Sequence, residues 1–487
     1  MAAIRIGGSL IEISEDGTTP LQDQNTLYAI QQALRFTKVN LTYTGKAKRQ
    51  TEERVLYAYD DVGRLVCQRG WFRRIVEILR NNGHNVVIID ERPPLPRPDC
   101  YTPDWDNLVR NYSFRPGQRE CILRVAACIG RREGGVIEAA PAFGKTKVIS
   151  MICALYPRAK IDVITYGNEL IGDLFRHIAS HTSDVGCTCG GSRSDKRISI
   201  ISSMSLHYAD YGADIVLADE VHKLMTDRAA AALGRYDHAC MFGFTATKNT
   251  RYDNMHKRME GLFGPTIFSM MWQDAQKVGL IVPIMVEWYN VPSGPHVSSS
   301  IDNMVARKRI AFWRNEYRNR IIADAAIEHV AAGHQTLVLV ETIEHMLYLY
   351  KFLPDFAICC GEDISQVPKF QRIASSLGIT LPKISRYERM QLKTRFEQRE
   401  IMGAIATPVW ATGVSFDSLQ VLVRADGGGS ETNNHQWPGR VARIDPQTNK
   451  SYGILVDFID RFDRWAYGRS LLRRKTYKKN GWVQLCK

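Results

Sequence analysis

Gly134-Gly-Val-Ile-Glu-Ala-Ala-Pro-Ala-Phe-Gly-Lys-Thr146 is the stretch that decides the fold. Its first five residues, Gly134–Glu138, are short and apolar enough for a buried strand. Residues 144–155 (GKTKVISMICAL) have the length and apolar spacing of a helix. The turn between them aims backbone N–H groups and a helix N-terminus at an anion. Lys145 then reaches the β- and γ-phosphates of a nucleotide, and the Thr146 hydroxyl ligates magnesium. Two positions depart from the usual pattern: Ala139 and Ala142 stand where glycines are common. A lone Gly-Lys-Thr also arises by chance, so the reading needs a companion.

The companion lies downstream. Ala213-Asp-Ile-Val-Leu-Ala218 reads as a buried strand that runs straight into Asp219-Glu220. An acidic pair at the C-terminal end of a strand sits where ligand chemistry collects in α/β folds. Asp219 is then a magnesium ligand and Glu220 the base that activates the attacking water. A solvated acidic turn would give the same dipeptide, but not at the end of an apolar strand that follows a phosphate loop.

Taken in order, these and further segments resemble superfamily 2 helicases over residues 111–475. Phe114-Arg-Pro-Gly-Gln-Arg119 resembles the entry motif, Ala139–Thr146 motif I and Asp219-Glu-Val-His222 motif II. Val163–Gly167 stands at motif Ia, Ile200–Leu206 at Ib, and Phe244-Thr-Ala-Thr247 at motif III. Ile405–Ser415 resembles motif V, and Gln436-Trp-Pro-Gly-Arg-Val-Ala-Arg443 matches Gln-x-x-Gly-Arg-x-x-Arg of motif VI. The resemblance implies two tandem RecA-like parallel-sheet lobes, with ATP and Mg2+ as cofactors. It implies nucleotide contacts at Arg115, Gln118, Ala142, Phe143, Gly144, Lys145, Thr146, Gly413 and Gln436, with Gln118 reading adenine. It further implies that Arg440 and Arg443 complete the ATP site from the second lobe, beside catalytic Lys145, Asp219 and Glu220.

Finer features, Arg251-Tyr-Asp-Asn254, Leu262-Phe-Gly-Pro265, Asp274-Ala275 through Gly279-Leu-Ile-Val-Pro283, Gly413-Val-Ser415 and the tail Phe462–Arg469, resemble XPB-like and phage recombination (UvsW-like) helicases. This likeness implies action on duplex, forked or branched DNA in replication, recombination or repair, and a cytoplasmic setting, that of a bacterial host for a phage protein. RNA fits less well, because Asp-Glu-Val-His is not the sequence of the large RNA group. Two other readings stand: a duplex translocase subunit of a restriction or remodelling assembly, and a DNA-binding scaffold with a dead motor, motivated by Ala139 and Ala142.

Composition agrees. The 487-residue chain carries a formal net charge of +13 with 45% hydrophobic residues, a basic balance that suits a polyanion or mere solubility. From Arg461 to Lys479 eight Lys/Arg face one acid, Asp463, interleaved with Phe462, Trp465, Tyr467 and Tyr477. Such a run reads as a phosphate track or as an amphipathic terminal helix packed on the second lobe, or both. Eleven scattered cysteines form no disulfide framework and no zinc set; Cys187-Thr-Cys189 precedes Gly190-Gly191 and reads as a loop. No apolar run is long enough to span a membrane.

The chain divides into a small α+β accessory domain (1–95), whose basic arm Lys46–Gln50 reads as a DNA contact or as a solvated loop. A linker (96–110) behind the prolines from 93 to 98 follows, then a first lobe (111–290) and a second lobe (305–487). A Ser/Pro/Gly-rich hinge at 292–304 separates the lobes, and residues 361–385 form a loosely patterned insert.

Overall fold

The structure is a computed structural model. It describes all residues except 45, 93–96, 167–170, 247–255, 298–300, 302, 411–415, 446, 447 and 449, and excludes the side chains of 38–50, 386, 431 and 432. The nucleotide contact Gly413 and the Arg251–Asn254 motif lie outside what is described, as do the side chains of the expected basic arm Lys46–Gln50, whose backbone is strand. The chain forms two compact units, residues 1–41 with 49–271 and residues 42–48 with 272–487.

The N-terminal part of the chain holds seven strands: β1 (Ala2–Gly7), β2 (Leu10–Ser14), β3 (Arg35–Thr44), β4 (Lys46–Val55), β5 (Tyr57–Tyr59), β6 (Leu65–Gln68) and β7 (Val86–Asp90). Five of them make one sheet in the order β5-β6-β2-β1-β7, and β3 pairs with β4. Trp71, Ile75 and Leu79, from the helix Phe72–Asn81 and the turn before it, pack on the alternating isoleucines of β1 and β2. This is the expected α+β accessory fold.

The remaining strands of the first unit are β8 (Gly135–Ala139), β9 (Ile161–Thr165), β10 (Val185–Thr188), β11 (Ile198–Ser202), β12 (Ile215–Ala218), β13 (Cys240–Thr245) and β14 (Thr266–Met270). They form a seven-stranded sheet ordered β10-β11-β9-β12-β13-β8-β14, parallel at every pairing. A parallel sheet is covered on both faces, so its strands must be apolar throughout. Every residue of β9, β11, β12 and β13 is buried.

In the second unit β15 (Ile284–Val291), β16 (Thr336–Leu339), β17 (Ala357–Cys359), β18 (Gly403–Ala406), β19 (Val421–Arg424), β20 (Gly453–Asp460) and β21 (Val483–Cys486) make a second seven-stranded sheet. Its order is β17-β18-β16-β19-β20-β15-β21, again parallel. Two parallel RecA-like sheets are therefore present, as the motif order implies. The insert at 361–385 contains a short 3-10 turn and the helix Pro368–Leu377. Among the described residues no helix is long and apolar enough to cross a membrane.

Two expected boundaries are corrected. The first lobe does not extend to 290, because β15 pairs along its whole length with β20 of the second sheet. The hinge assigned to 292–304 accordingly lies within the second unit, where Val297 is buried and its N–H donates to Asp463. Alternation marks 284–291 as a strand, but nothing local says which sheet it joins. Residues 96–110 are not a free linker either. Cys100 and Leu108 are buried, the Tyr101 hydroxyl donates to the Asp214 carbonyl, and the Asp104 N–H donates to the Leu155 carbonyl.

The accessory sheet is fastened to the first lobe. Arg74 donates through two nitrogens to Glu260, at 2.8 and 3.0 Å. Arg69 donates to the Ala239 carbonyl at 2.9 Å. Gly70 lies so close that a Cβ there would sit 2.1 Å from the Glu260 carbonyl oxygen. Since that obstacle is backbone, Gly70→Ala should cost about 1–3 kcal/mol, read as a lowered denaturant midpoint. A variant as stable as the parent would mean the two parts are not packed this tightly.

Candidate active site

The phosphate loop leaves the end of β8 and turns sharply, with the Phe143 N–H donating to the Ala140 carbonyl at 3.2 Å. Ala142 has φ 72° and Gly144 φ 82°. The Ala142 value is left-handed backbone that L-residues adopt at a cost, which is why glycine is common there; the loop keeps its shape despite the alanine. Gly144 is the N-cap of the helix Lys145–Leu155, with no side chain capping that end. Its first N–H groups are left for an outside acceptor. Thr146, half-buried, is the second residue of this helix.

Gln118 does something its motif did not announce. It is fully buried, its Nε2 donates to the Phe143 carbonyl at 2.8 Å, and its Oε1 accepts from the Arg115 N–H at 3.0 Å. The side chain thus braces the phosphate loop from behind. The Arg115 side chain is exposed, and Phe143 is buried beneath the loop.

Asp219 and Glu220 follow β12 directly. The Asp219 N–H donates to the Ile164 carbonyl on β9 at 2.8 Å, and its carboxylate accepts from the Glu220 N–H at 3.0 Å. Glu220 turns in left-handed backbone, φ 47°. That turn carries its carboxylate to 3.9 Å from the Lys145 ammonium. Phosphate-loop lysine and acidic pair are therefore one constellation, built at the C-terminal ends of β8 and β12.

The electrostatics separate the two acids. Burial, then the Glu220 charge, push the Asp219 carboxyl up from 3.8 to about 6. Burial also pushes Glu220 up, but Lys145, His222 and Lys223 outweigh it and hold the carboxyl below its ordinary value. An acid kept ionised beside one that resists ionisation is a site short of positive charge. Asp219 and Thr146 both carry oxygen donors, the kind of ligand that magnesium takes. His222, 3% exposed, bridges the acid to the next motif: its Nδ1 lies 3.0 Å from the Thr245 hydroxyl and 3.4 Å from Glu220.

In the second unit Arg440 is buried in a short turn, Pro438–Arg440, and burial with Arg443 beside it pushes its guanidinium down to about 9. Arg443 donates to Asp417 at 3.2 Å. Gln436, half-buried, ends the preceding helix, Glu431–Gln436. The sequence reading missed what holds this segment. Arg424, fully buried at the end of β19, donates to Asp426, to Asn434 at 2.6 Å and to the Tyr477 hydroxyl at 2.9 Å. It also lies 5.2 Å from the Trp437 ring. A charge closing the apolar run Val421-Leu-Val demanded such partners and was the available signal. In the basic tail, Arg473 and Tyr477 are buried against Asp457. Arg461, Arg464, Arg474, Lys475, Lys478 and Lys479 are exposed. The tail therefore packs on its lobe and still presents a basic face.

One consequence is measurable. The folded state holds the Asp219 proton more tightly than the unfolded chain, so the cost of ionising it is absent at low pH and complete above about pH 6. Asp219→Asn should stabilise the fold at pH 8 by about 1–3 kcal/mol and have little effect at pH 4, by denaturant unfolding. Equal effects at the two pH values would contradict the assigned burial of charge.

Residues 111–250 match the family described as type III restriction enzyme, res subunit. The helicase/translocase subunit XPB of the general transcription and DNA repair factor IIH from Dictyostelium discoideum is 21% identical over 270 residues, 55% of this chain and 30% of that protein. The chain thus corresponds to under a third of that relative's length. A fragment of an HsdR subunit of a type I restriction enzyme from Vibrio vulnificus YJ016 aligns with 93% of this chain and 92% of its own, with TM-score 0.53 and 15% identity. Dbp5 of S. cerevisiae, solved with RNA and ADP BeF3, aligns with 79% of this chain and 96% of its own, with TM-score 0.50 and 12% identity. At these identities the two structures speak for the fold alone. With the ordered motifs on two parallel sheets, the family match and the XPB relative make the chain similar to superfamily 2 helicases of the XPB type.

Proposed function

We propose that the chain is an ATP-driven DNA motor: a DNA-dependent ATPase working as helicase or translocase on duplex, forked or branched DNA in replication, recombination or repair. The observation that carries this reading is the 3.9 Å approach of Lys145 to Glu220. It joins an anion-binding helix end to an acidic pair of unequal pKa. Lys145 and the N–H groups of its helix bind the β- and γ-phosphates. Thr146 and Asp219 would hold magnesium, which would neutralise charge on those phosphates. Glu220, ionised at neutral pH, takes the proton of the attacking water, and His222 fixes its position. Gln118 keeps the loop in shape from below. Arg440 and Arg443 bring positive charge to the transferring phosphoryl group, the role the likeness of Gln436–Arg443 to motif VI implies.

DNA is favoured over RNA by the XPB relative, whose name includes DNA repair, and by the type III restriction match. The exposed basic face of the tail suits backbone contact, which is salt-sensitive and largely blind to sequence. The recombination setting and a phage source rest on residue likeness. That same restriction match favours a second reading, a translocase that moves on duplex without parting the strands. Strand-displacement assays on forked DNA, beside displacement of a triplex third strand, separate the two: a translocase clears only the third strand.

Three variants test the chemistry. Lys145→Ala should lose nucleic-acid-stimulated ATPase while keeping its fold; wild-type turnover would refute the phosphate-loop assignment. Glu220→Gln should bind ATP and hydrolyse it slowly, and loss of ATP binding would argue against the base role. Arg440→Ala should retain nucleotide binding and lose turnover by roughly a hundredfold or more, with unfolding monitored alongside. An unchanged rate would mean that motif VI is misread.

A further inference from the structure

A second cavity lies at the other end of the first lobe. The phosphate loop and acidic pair occupy the C-terminal ends of their strands. This cavity, about 250 Å³, is lined by Gly134, Met241 and Gly264-Pro265, at or just before the N-terminal ends of β8, β13 and β14. Its other wall is the accessory sheet and helix, with Ile6, Phe72 and Ile88. It is therefore separate from the nucleotide site and is formed only because the accessory sheet is docked.

The lining is apolar on its floor and cationic around it. Arg69, Arg73, Arg92, Arg131 and Arg132 contribute, against only Asp90 and Glu133. Asp90 is engaged by Arg92 at 2.6 Å. Glu133 is shared between Arg73 at 2.5 Å and Arg131 at 3.1 Å. Arg69 donates to three neutral carbonyls, those of Gly8, Asp237 and Ala239. Burial, with Arg92 and Arg132 nearby, lowers its pKa from the ordinary value. Five guanidinium groups around two carboxylates leave an excess of positive charge in a partly desolvated space, where an anion gains most. The volume corresponds to about eight waters, room for one ring with one phosphate rather than for a polymer.

We propose that this cavity binds a small phosphate monoester, its apolar body on Phe72, Met241 and Phe263 and its phosphate among the arginines. Guanidinium pairs suit phosphate oxygens because their planar donors match two acceptors at once. A ligand there would touch both the accessory sheet and the strands that lead to the nucleotide loop, and would tighten the joint between them.

The test uses the full chain saturated with a non-hydrolysable ATP analogue and magnesium, so that the phosphate loop is filled, and phenyl phosphate as the calorimetric probe. One saturable site is expected, with inorganic phosphate binding more weakly and phenol not at all. Arg73→Ala with Arg131→Ala, both half-exposed at 47% and 50%, should weaken phenyl phosphate tenfold or more. Glu133→Gln frees both arginines and should tighten it several-fold, a gain that damage to the fold cannot imitate. Absence of a saturable site, or affinities unmoved by these three substitutions, would overturn the proposal.

Discussion

Two carboxylates placed side by side at the end of a buried strand repel one another, and burial leaves water little room to relieve them. That is the condition of Asp219 and Glu220, and the rest of the first lobe is arranged around it. The β12 run Ile215–Ala218 is entirely buried, so the pair emerges from an apolar interior. Lys145 answers one carboxylate at 3.9 Å, while Asp219 keeps an elevated pKa. Such a site is stable enough to exist and unsatisfied enough to seek a cation and a phosphate. Function and stability pull apart here, as they do wherever like charges are held together for chemistry.

The second unit solves a different problem by different means. Its motif VI turn carries a buried arginine, and the ground behind it is a network of paired buried charges. Arg318 meets Asp460 at 2.8 Å, Arg473 meets Asp457 at 3.0 Å, and Arg424 meets Asp426 at 2.9 Å. Buried ion pairs contribute little net stability, but losing one partner is costly. We read the network as a device for holding position: it ties the helix Arg464–Lys479 to β19 and β20 and, through Asn434, to the segment that ends in Arg440.

Much of this was legible in the sequence, for physical reasons that also explain the gaps. Parallel sheets need apolar strands, so β8 and β12 announced themselves, as did the helix after Gly144. The acidic pair was readable because an apolar run led into it. Pairing between distant segments was not readable. Hence β15 was given to the wrong sheet, and the residues around Cys100 and Leu108 were taken for a linker although their burial depends on partners far along the chain. Gln118 illustrates the limit at the site: its motif names a contact with the base, while in the fold its amide nitrogen donates to the phosphate loop and its amide oxygen accepts from Arg115. The basic tail divided between its two readings because a helix has two faces, one carrying Arg473 and Tyr477 inward and the other Arg474 and Lys478 outward.

A motor of this kind requires that nucleic acid drive hydrolysis at this site. ATP turnover by the full chain, measured with single-stranded, duplex, forked and four-way DNA and with RNA in turn, is the most direct measurement. A low basal rate is expected, raised at least tenfold by duplex or branched DNA, with the stimulation weakening as salt rises. A rate that no DNA stimulates, or that RNA alone stimulates, would contradict the DNA-motor reading.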